Sequence, residues 1–121
     1  MIYKVGMLCK HFKGADLLEK NIYRIERLGV NGSEVDANTV TYTGDSTLES
    51  ATNLVVYSNI FQDGKMFARE YEDISSELSD EKKETFHQTL KVQPLTEEEI
   101  SFIGNPQFVE KKKTLVLSKF K

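Results

Sequence analysis

The strongest candidates for chemistry lie near the start of the chain, in the segment Lys10-His11-Phe12-Lys13-Gly14. His11 is one of only two histidines, and its imidazole could contact a ligand or act as a general base. The alternative is a turn histidine whose ring bonds a backbone carbonyl. Neither histidine has the helical spacing of a metal-binding pair, so we predict neither a metal nor another cofactor. His11 and the neighbouring cation Lys13 are candidate ligand-binding residues.

Two further candidates, Tyr57 and Arg69, lie on neighbouring segments in the middle of the chain. An arginine can bind a carboxylate or phosphate with two parallel hydrogen bonds. The alternative for Arg69 is an ion pair with a nearby acid, Glu72 or Asp73, that holds a loop. Tyr57 and Phe67 are expected to be cross-strand neighbours, either as an aromatic core pair or as part of a binding surface.

The remaining reactive residue types indicate no catalytic set. The single cysteine, Cys9, lies beside Lys10 and His11, where positive charge would lower a thiol pKa, but a plain buried thiol is the favoured interpretation. The sequence contains no glycine-rich phosphate loop and no Gly-x-Ser-x-Gly nucleophile motif. His87 is predicted to lie on the surface, and Lys111-Lys112-Lys113 to form a solvated tail with phosphate binding as the alternative.

Composition indicates one globular domain. Of the 121 residues, 39% are hydrophobic and 29% are charged, which is typical of a folded chain. One cysteine excludes an intrachain disulfide, and no apolar run is long enough for a signal peptide or a membrane span, so we expect a cytoplasmic protein.

Charge is unevenly distributed along the chain. The net charge is −3, although residues 1–27 carry six basic and three acidic side chains, and residues 111–121 carry five basic and no acidic ones. A solvated surface explains this pattern. The alternative is that the two basic ends meet and form a strip for a polyanion.

The elements that must position these residues are mostly short strands. Alternating β-branched and aromatic residues favour five of them in the first half, namely Gly6–Cys9, Asn21–Leu28, Thr39–Thr43, Asn53–Phe61 and Lys65–Tyr71. Asn53–Phe61 is the most apolar and is predicted to be central. Asn31-Gly32 and Asp63-Gly64 favour tight turns.

The second half is more polar and richer in helix formers. Residues 78–90 favour a short helix or an ordered loop, with Ser79 as N-cap, and residues 91–93 favour a strand. Thr96 and Glu99 form a capping box, which predicts a helix over about residues 97–103. The segment Thr114-Leu115-Val116-Leu117-Ser118 is predicted to be a final strand.

Four motifs in order are similar to those of the DUF1653 family, a bacterial domain of unknown function. They span roughly residues 6–74, and they are His11-Phe12-Lys13-Gly14, Asn21-Ile22-Tyr23-Arg24-Ile25, Leu54-Val55-Val56-Tyr57 and Met66-Phe67-Ala68-Arg69-Glu70-Tyr71-Glu72-Asp73. The resemblance implies an SH3-like small antiparallel barrel or roll, and it implies no activity.

Short strands separated by turn signals independently favour the same fold. We therefore predict a mainly β protein with an SH3-like barrel over residues 1–74. Residues 75–121 are predicted to be a C-terminal extension with one or two short helices and a final strand, packed on the same domain.

The leading functional hypothesis is a non-enzymatic binding module for a protein segment or a small anion, with His11, Lys13, Tyr57 and Arg69 as contact residues. Three alternatives remain open. They are weak binding of RNA or single-stranded DNA by the basic ends, a small enzyme that uses His11, and a homo-oligomer in which the C-terminal strand completes a neighbour's sheet.

Overall fold

A six-stranded mixed sheet forms the centre of the protein. The computed structural model describes residues 2–62 and 65–119. The strands are β1 (Leu8–His11), β2 (Ile22–Val30), β3 (Val40–Tyr42), β4 (Leu54–Asn59), β5 (Met66–Glu70) and β6 (Val92–Pro94), in the spatial order β3-β5-β4-β2-β1-β6. The helices are α1 (Tyr71–Ile74), α2 (Asp80–Phe86), α3 (Glu97–Ile103) and α4 (Pro106–Lys119), and single 3-10 turns cover Gly32–Glu34 and Leu48–Ser50.

The sheet is open, so the predicted SH3-like barrel is not confirmed. Strands β3 and β6 lie at opposite ends of the described sheet. Four of the five strand pairs are antiparallel, but β3 pairs with β5 in parallel. A parallel neighbour requires a crossover connection in place of a hairpin. The segment from β3 to β5 supplies it, because it contains β4, which pairs with β5 on the side opposite β3.

Strand β4 is interior to the sheet, as its apolar run predicts. Leu54, Val55, Val56 and Tyr57 are all buried, which requires cover on both faces. On one face Val55 and Tyr57 join a cluster with Tyr3, Cys9, Tyr23, Ile25, Ile74 and Val92. On the other face Leu54 and Val56 pack with Val30, Ala51 and Ala68.

The predicted turn at Asn31-Gly32 is present as a 3-10 turn, without a positive φ at either residue. Strand β2 continues to Val30, and Gly32 then begins a 3-10 turn in which the Asn31 N–H donates to Glu34 Oε1 at 2.9 Å. A Cβ at Gly32 would lie 1.5 Å from the carbonyl oxygen of Leu48. The glycine is needed here for a close approach of two chain segments. The predicted turn at Asp63-Gly64 lies outside the described residues, although β4 and β5 pair as a hairpin would require.

Residues 75–119 add to the sheet and cover it. Strand β6 pairs with β1, and Leu95, Ile103 and Phe108 pack with Ile22 of β2. Helix α2 has its predicted Ser79 cap, whose side chain accepts from the Lys82 N–H. Helix α3 has both hydrogen bonds of its predicted capping box.

The predicted final strand is wrong, because residues 114–118 belong to helix α4. Pro106 occupies the first helical position, where a fixed φ favours a helix start and the missing N–H costs nothing. Phe108 and Lys112, four residues apart, are both buried on the face that contacts the sheet layer. This packing overrides the strand preference of the threonine, valine and leucine residues at positions 114–118. Residues 75–119 thus hold three helices, α2, α3 and α4, where one or two were predicted.

No helix among the described residues is both long enough and apolar enough to cross a membrane.

Candidate functional site

One face of the sheet brings together the candidate residues His11, Tyr57 and Arg69. Side chains alternate along a strand, so His11 lies on the same face as Cys9, which is paired with Tyr23 of β2. Tyr57 of β4 is paired with Phe67 of β5, and Arg69 follows Phe67 on the same face. We call the surface formed by His11, Tyr23, Tyr57, Phe67 and Arg69 the aromatic face.

The rings of the aromatic face are in continuous contact. The centroids of Tyr23 and Tyr57 lie 4.7 Å apart, and those of Tyr57 and Phe67 lie 5.7 Å apart in a stacked arrangement. The imidazole of His11 meets the edge of Tyr23 at 6.4 Å. These are the separations at which aromatic pairs attract each other. The cross-strand pair predicted for Tyr57 and Phe67 is confirmed.

The depth of the rings differs across this face. Tyr57 and Tyr23 expose only 5% and 8% of their surface, whereas His11, Phe67 and Arg69 are half-buried. Burial is the largest cause that raises the phenol pKa of both tyrosines, so both stay protonated. Tyr57, predicted as a contact residue, therefore belongs mainly to the core and forms the floor of the site.

Arg69 forms the predicted ion pair with Asp73, which lies four residues on in helix α1. The other oxygen of the same carboxylate binds Lys91 Nζ at 2.8 Å. Two cations thus share one carboxylate. The Nε atom of Arg69 is buried and has no hydrogen-bond partner within the described structure. An unsatisfied buried donor is costly, so this atom is a ready partner for an acceptor that the chain itself does not supply.

His11 is held as a neutral imidazole. Its Nδ1 accepts a hydrogen bond from the Lys13 backbone N–H at 3.3 Å, which leaves the proton on Nε2 as a donor. Burial lowers the pKa of His11 from 6.5 to about 4, and the charges of Lys13, Lys91, Arg69 and Lys20 act in the same direction. The charges that act on this imidazole are all positive.

Lys13 and Lys91 form a cationic rim beside the rings. The Lys13 side chain is exposed, and its Nζ lies 6.0 Å from the ring centroid of Phe12. The Phe12 N–H donates to the Lys91 carbonyl at 3.0 Å, which places Lys91 next to the end of β1. Nothing in the sequence signalled the role of Lys91, because it depends on the pairing of β6 with β1.

The opposite side of Arg69 borders an open, acidic cleft of about 520 Å³. It is lined by Gly44, Asp45, Ser46, Arg69, Glu70, Glu72, Asp73 and Ser76. Glu70 belongs to the other face of β5, where it accepts a hydrogen bond from the Tyr42 hydroxyl. Arg69 therefore lines a cleft in which the other charged side chains are acidic.

Cys9 is a buried thiol, as the favoured interpretation predicts. It is fully buried, and burial raises its pKa to about 12. A thiolate nucleophile is not available at neutral pH. Although Cys9 and His11 share a face of β1, they do not form an activated pair.

The basic C-terminal segment is not the solvated tail that was predicted. Lys112 lies in helix α4, is 3% exposed, and donates from Nζ to the carbonyls of Leu18 and Lys20. Lys20 is itself 3% exposed and donates to the carbonyls of Phe12 and Phe86 at 2.6 and 3.0 Å. The two basic ends of the chain do meet, but two of their cations are committed to backbone oxygens.

The described residues contain no group of three or more histidine, cysteine, aspartate or glutamate side chains that could hold a metal ion. His87 is exposed at the end of α2, where its φ of 53° is left-handed. Glu97, Glu98 and Glu99 form the first turn of α3, and Glu99 binds Lys10 Nζ at 2.6 Å. These acids therefore have a structural explanation.

Comparison with protein-family models, with curated proteins and with solved structures finds no match to this chain. The resemblance to the DUF1653 family accordingly stays a prediction.

Proposed function

We propose that this protein is a non-enzymatic binding module that recognises an anionic ligand at the aromatic face. The observation that carries the proposal is Arg69, whose buried Nε donor has no partner among the described residues and which follows Phe67 on the aromatic face. Of the two ligand kinds considered from the sequence, a small anion is better supported than a protein segment. Half-buried Phe67 and Arg69, on the same face of β5, offer a small patch that suits a group of few atoms.

Electrostatics support an anion. The cations Lys13, Lys91 and Arg69 act on His11 from three separate segments of the chain, against a protein whose net charge is −3. A partly desolvated cationic site strengthens a charge-assisted hydrogen bond relative to the same bond in water. A carboxylate, phosphate or sulfate oxygen at Arg69 Nε would satisfy the one buried side-chain donor that has no partner within residues 2–62 and 65–119.

The other hypotheses have less support. A general base works best with a pKa near the working pH, and the pKa of His11 is about 4. Lys20 and Lys112 donate to backbone carbonyls, which weakens the hypothesis of a basic strip that binds a polyanion. A homo-oligomer formed through a C-terminal strand is not supported, because residues 114–118 are helical.

Isothermal titration calorimetry with sodium phosphate, sulfate and benzoate tests the proposal. We expect at least one of these anions to bind the native protein, and Arg69→Gln to weaken that binding about tenfold or more, since a hydrogen bond to a charged group contributes roughly 1.5–3 kcal/mol. Glutamine keeps an amide donor but removes the charge.

The matched control is Arg24→Gln. Arg24 is an exposed arginine on β2 whose side chain points to the opposite face from Tyr23, so its loss should leave the affinity unchanged. Because Arg69 also holds Asp73, circular dichroism must show that the variant remains folded. The proposal is refuted if none of the anions binds, or if both arginine variants weaken binding equally.

A further inference from the structure

Two buried lysines cross-link other elements to the 12–20 segment, which connects β1 to β2. Lys112 of α4 and Lys20 are each 3% exposed. A lysine is almost never fully buried unless a partner satisfies its ammonium group. In both cases backbone carbonyls accept from the ammonium group, and each group reaches two of them. The two side chains therefore join parts of the chain that lie far apart in sequence.

The first cross-link holds α4 to the 12–20 segment. The Nζ atom of Lys112 donates to the carbonyls of Leu18 and Lys20, and it lies 5.9 Å from the ring centroid of Phe61. Phe108, four residues earlier on the same face of the helix, is 5% exposed. Phe108 and Lys112 are the only buried side chains that the structure describes in α4. The position of this helix thus depends on one aromatic ring and one ammonium group.

The packing beside α4 is incomplete. An open groove of about 570 Å³ lies between the helix and Leu18, and another of about 330 Å³ lies where the helix begins, beside Leu17 and Phe102. In contrast, Leu54 and Val55 of β4 are fully buried. Elements with few buried apolar contacts open at a lower free energy than the core of the same domain. We therefore expect α4 to open while the sheet stays folded.

The second cross-link extends from Lys20 to helix α2. Its Nζ atom donates to the Phe12 carbonyl at 2.6 Å and to the Phe86 carbonyl at 3.0 Å, and Phe86 is the last residue of α2. The rings of Phe12 and Phe86 meet edge-to-face at 5.2 Å. The backbone carbonyl of Lys20 is at the same time an acceptor for Lys112. One residue therefore takes part in both cross-links.

We infer that α4 is a strap whose release loosens the 12–20 segment and the end of α2, through Lys112 and Lys20. When α4 leaves, the carbonyls of Leu18 and Lys20 lose a buried donor. A buried acceptor without a partner is costly, so the segment rearranges to reach water. This movement displaces the Lys20 ammonium group that holds α2. The strap goes beyond the proposed anion binding and does not depend on it.

Native-state hydrogen exchange of the full chain, measured by NMR in low concentrations of urea, tests the strap without any variant. The reporters are the amides of α4, the Lys20 amide that donates to the Asp16 carbonyl, and the last turn of α2. We expect these amides to open in parallel as urea increases, and about tenfold or more faster than those of β4. Exchange in α4 as slow as in β4 would overturn the strap. Opening of α4 without the other two groups would overturn the link.

Lys112→Met separates the ammonium group from the rest of the helix, because methionine keeps an unbranched stem and lacks the donor. We expect exchange at all three groups of reporters to accelerate about tenfold or more, since the variant leaves buried acceptors without a partner. The matched control is Lys113→Met at the next, exposed position of α4, which should leave the three groups unchanged. Acceleration that is confined to α4 would contradict the inference.

A double-variant cycle tests whether the two lysines act as one unit. Residues in one hydrogen-bonded network have non-additive effects. Lys20→Met and Lys112→Met together should therefore accelerate exchange in α4 and α2 by clearly less than the product of the two single factors. A combined factor equal to that product within about twofold would show that the lysines act independently, and it would refute the link between them. The urea series on the native protein decides between these results even if a variant does not fold.

Discussion

Lowering the pH should destabilise this protein in part through His11. The folded protein keeps the imidazole neutral, with a pKa lowered from 6.5 to about 4 by burial and by the surrounding cations. The unfolded chain binds a proton near pH 6.5. Between these two values the unfolded state therefore holds more protons than the folded state, and the free energy of unfolding falls as the pH falls.

The size of this loss in unfolding free energy follows from the two pKa values. Each pH unit between them is worth about 1.4 kcal/mol, which sets an upper limit of roughly 3 kcal/mol for the loss between pH 6.5 and 4. His11 is half-buried, and solvent screening reduces the effect of the surrounding charges. We therefore expect a loss of about 1.5–2 kcal/mol, a substantial part of the stability of a domain of this size.

Urea unfolding of the native protein and of His11→Gln at pH 7.5, 5.5 and 4.5 measures this effect. Glutamine can still accept the Lys13 N–H but does not titrate. Acid groups elsewhere titrate alike in both proteins, so the difference between their unfolding free energies isolates His11. We expect the native protein to lose about 1.5–2 kcal/mol relative to the variant. A difference that stays constant within about 0.5 kcal/mol across the series would show that His11 is not held neutral by its surroundings.

Two further predictions concern the elements that hold the site. Tyr3 donates from its hydroxyl to the carbonyls of Val92 at 2.6 Å and Ile74 at 3.0 Å, and these residues directly follow Lys91 and Asp73. Tyr3→Phe should therefore cost about 1–3 kcal/mol and lower the melting temperature by roughly 4 °C per kcal/mol in calorimetry, and an unchanged melting temperature would contradict the contact. Thr96→Ala removes the α3 cap and should cost about 1 kcal/mol in urea unfolding, whereas Thr96→Ser should restore it, and equal losses in both variants would argue against the cap.

Local sequence signals predicted the helices and strands well where short-range hydrogen bonds or side-chain alternation determine them. The capping box at Thr96 and Glu99 and the cap at Ser79 depend on hydrogen bonds over three residues, and both helices begin where predicted. The alternation in β5 placed Phe67 and Arg69 on one face, and the pairing with Tyr57 followed from the hairpin register.

Features that depend on tertiary packing could not be predicted from the sequence. The leucine and valine run at residues 114–118 has strand preferences, but the helix begun at Pro106 is stabilised by burial of Phe108 and Lys112. The parallel position of β3 and the open sheet depend on a long crossover whose path no local pattern specifies. In the candidate site, Lys91 is absent from the sequence-based set because only the pairing of β6 with β1 brings it beside His11.

The central claim is that an anion binds on the aromatic face at Arg69, and chemical-shift mapping during a titration tests it most directly. A series of two-dimensional ¹⁵N–¹H spectra with increasing amounts of whichever of phosphate, sulfate and benzoate binds most tightly would show which amides sense the anion. The account predicts saturable shifts that are largest around residues 11–13, 67–69 and 91, at the end of β1, on β5 and just before β6. Shifts that are largest along α4, around residues 111–113, or that do not saturate at any position, would contradict it.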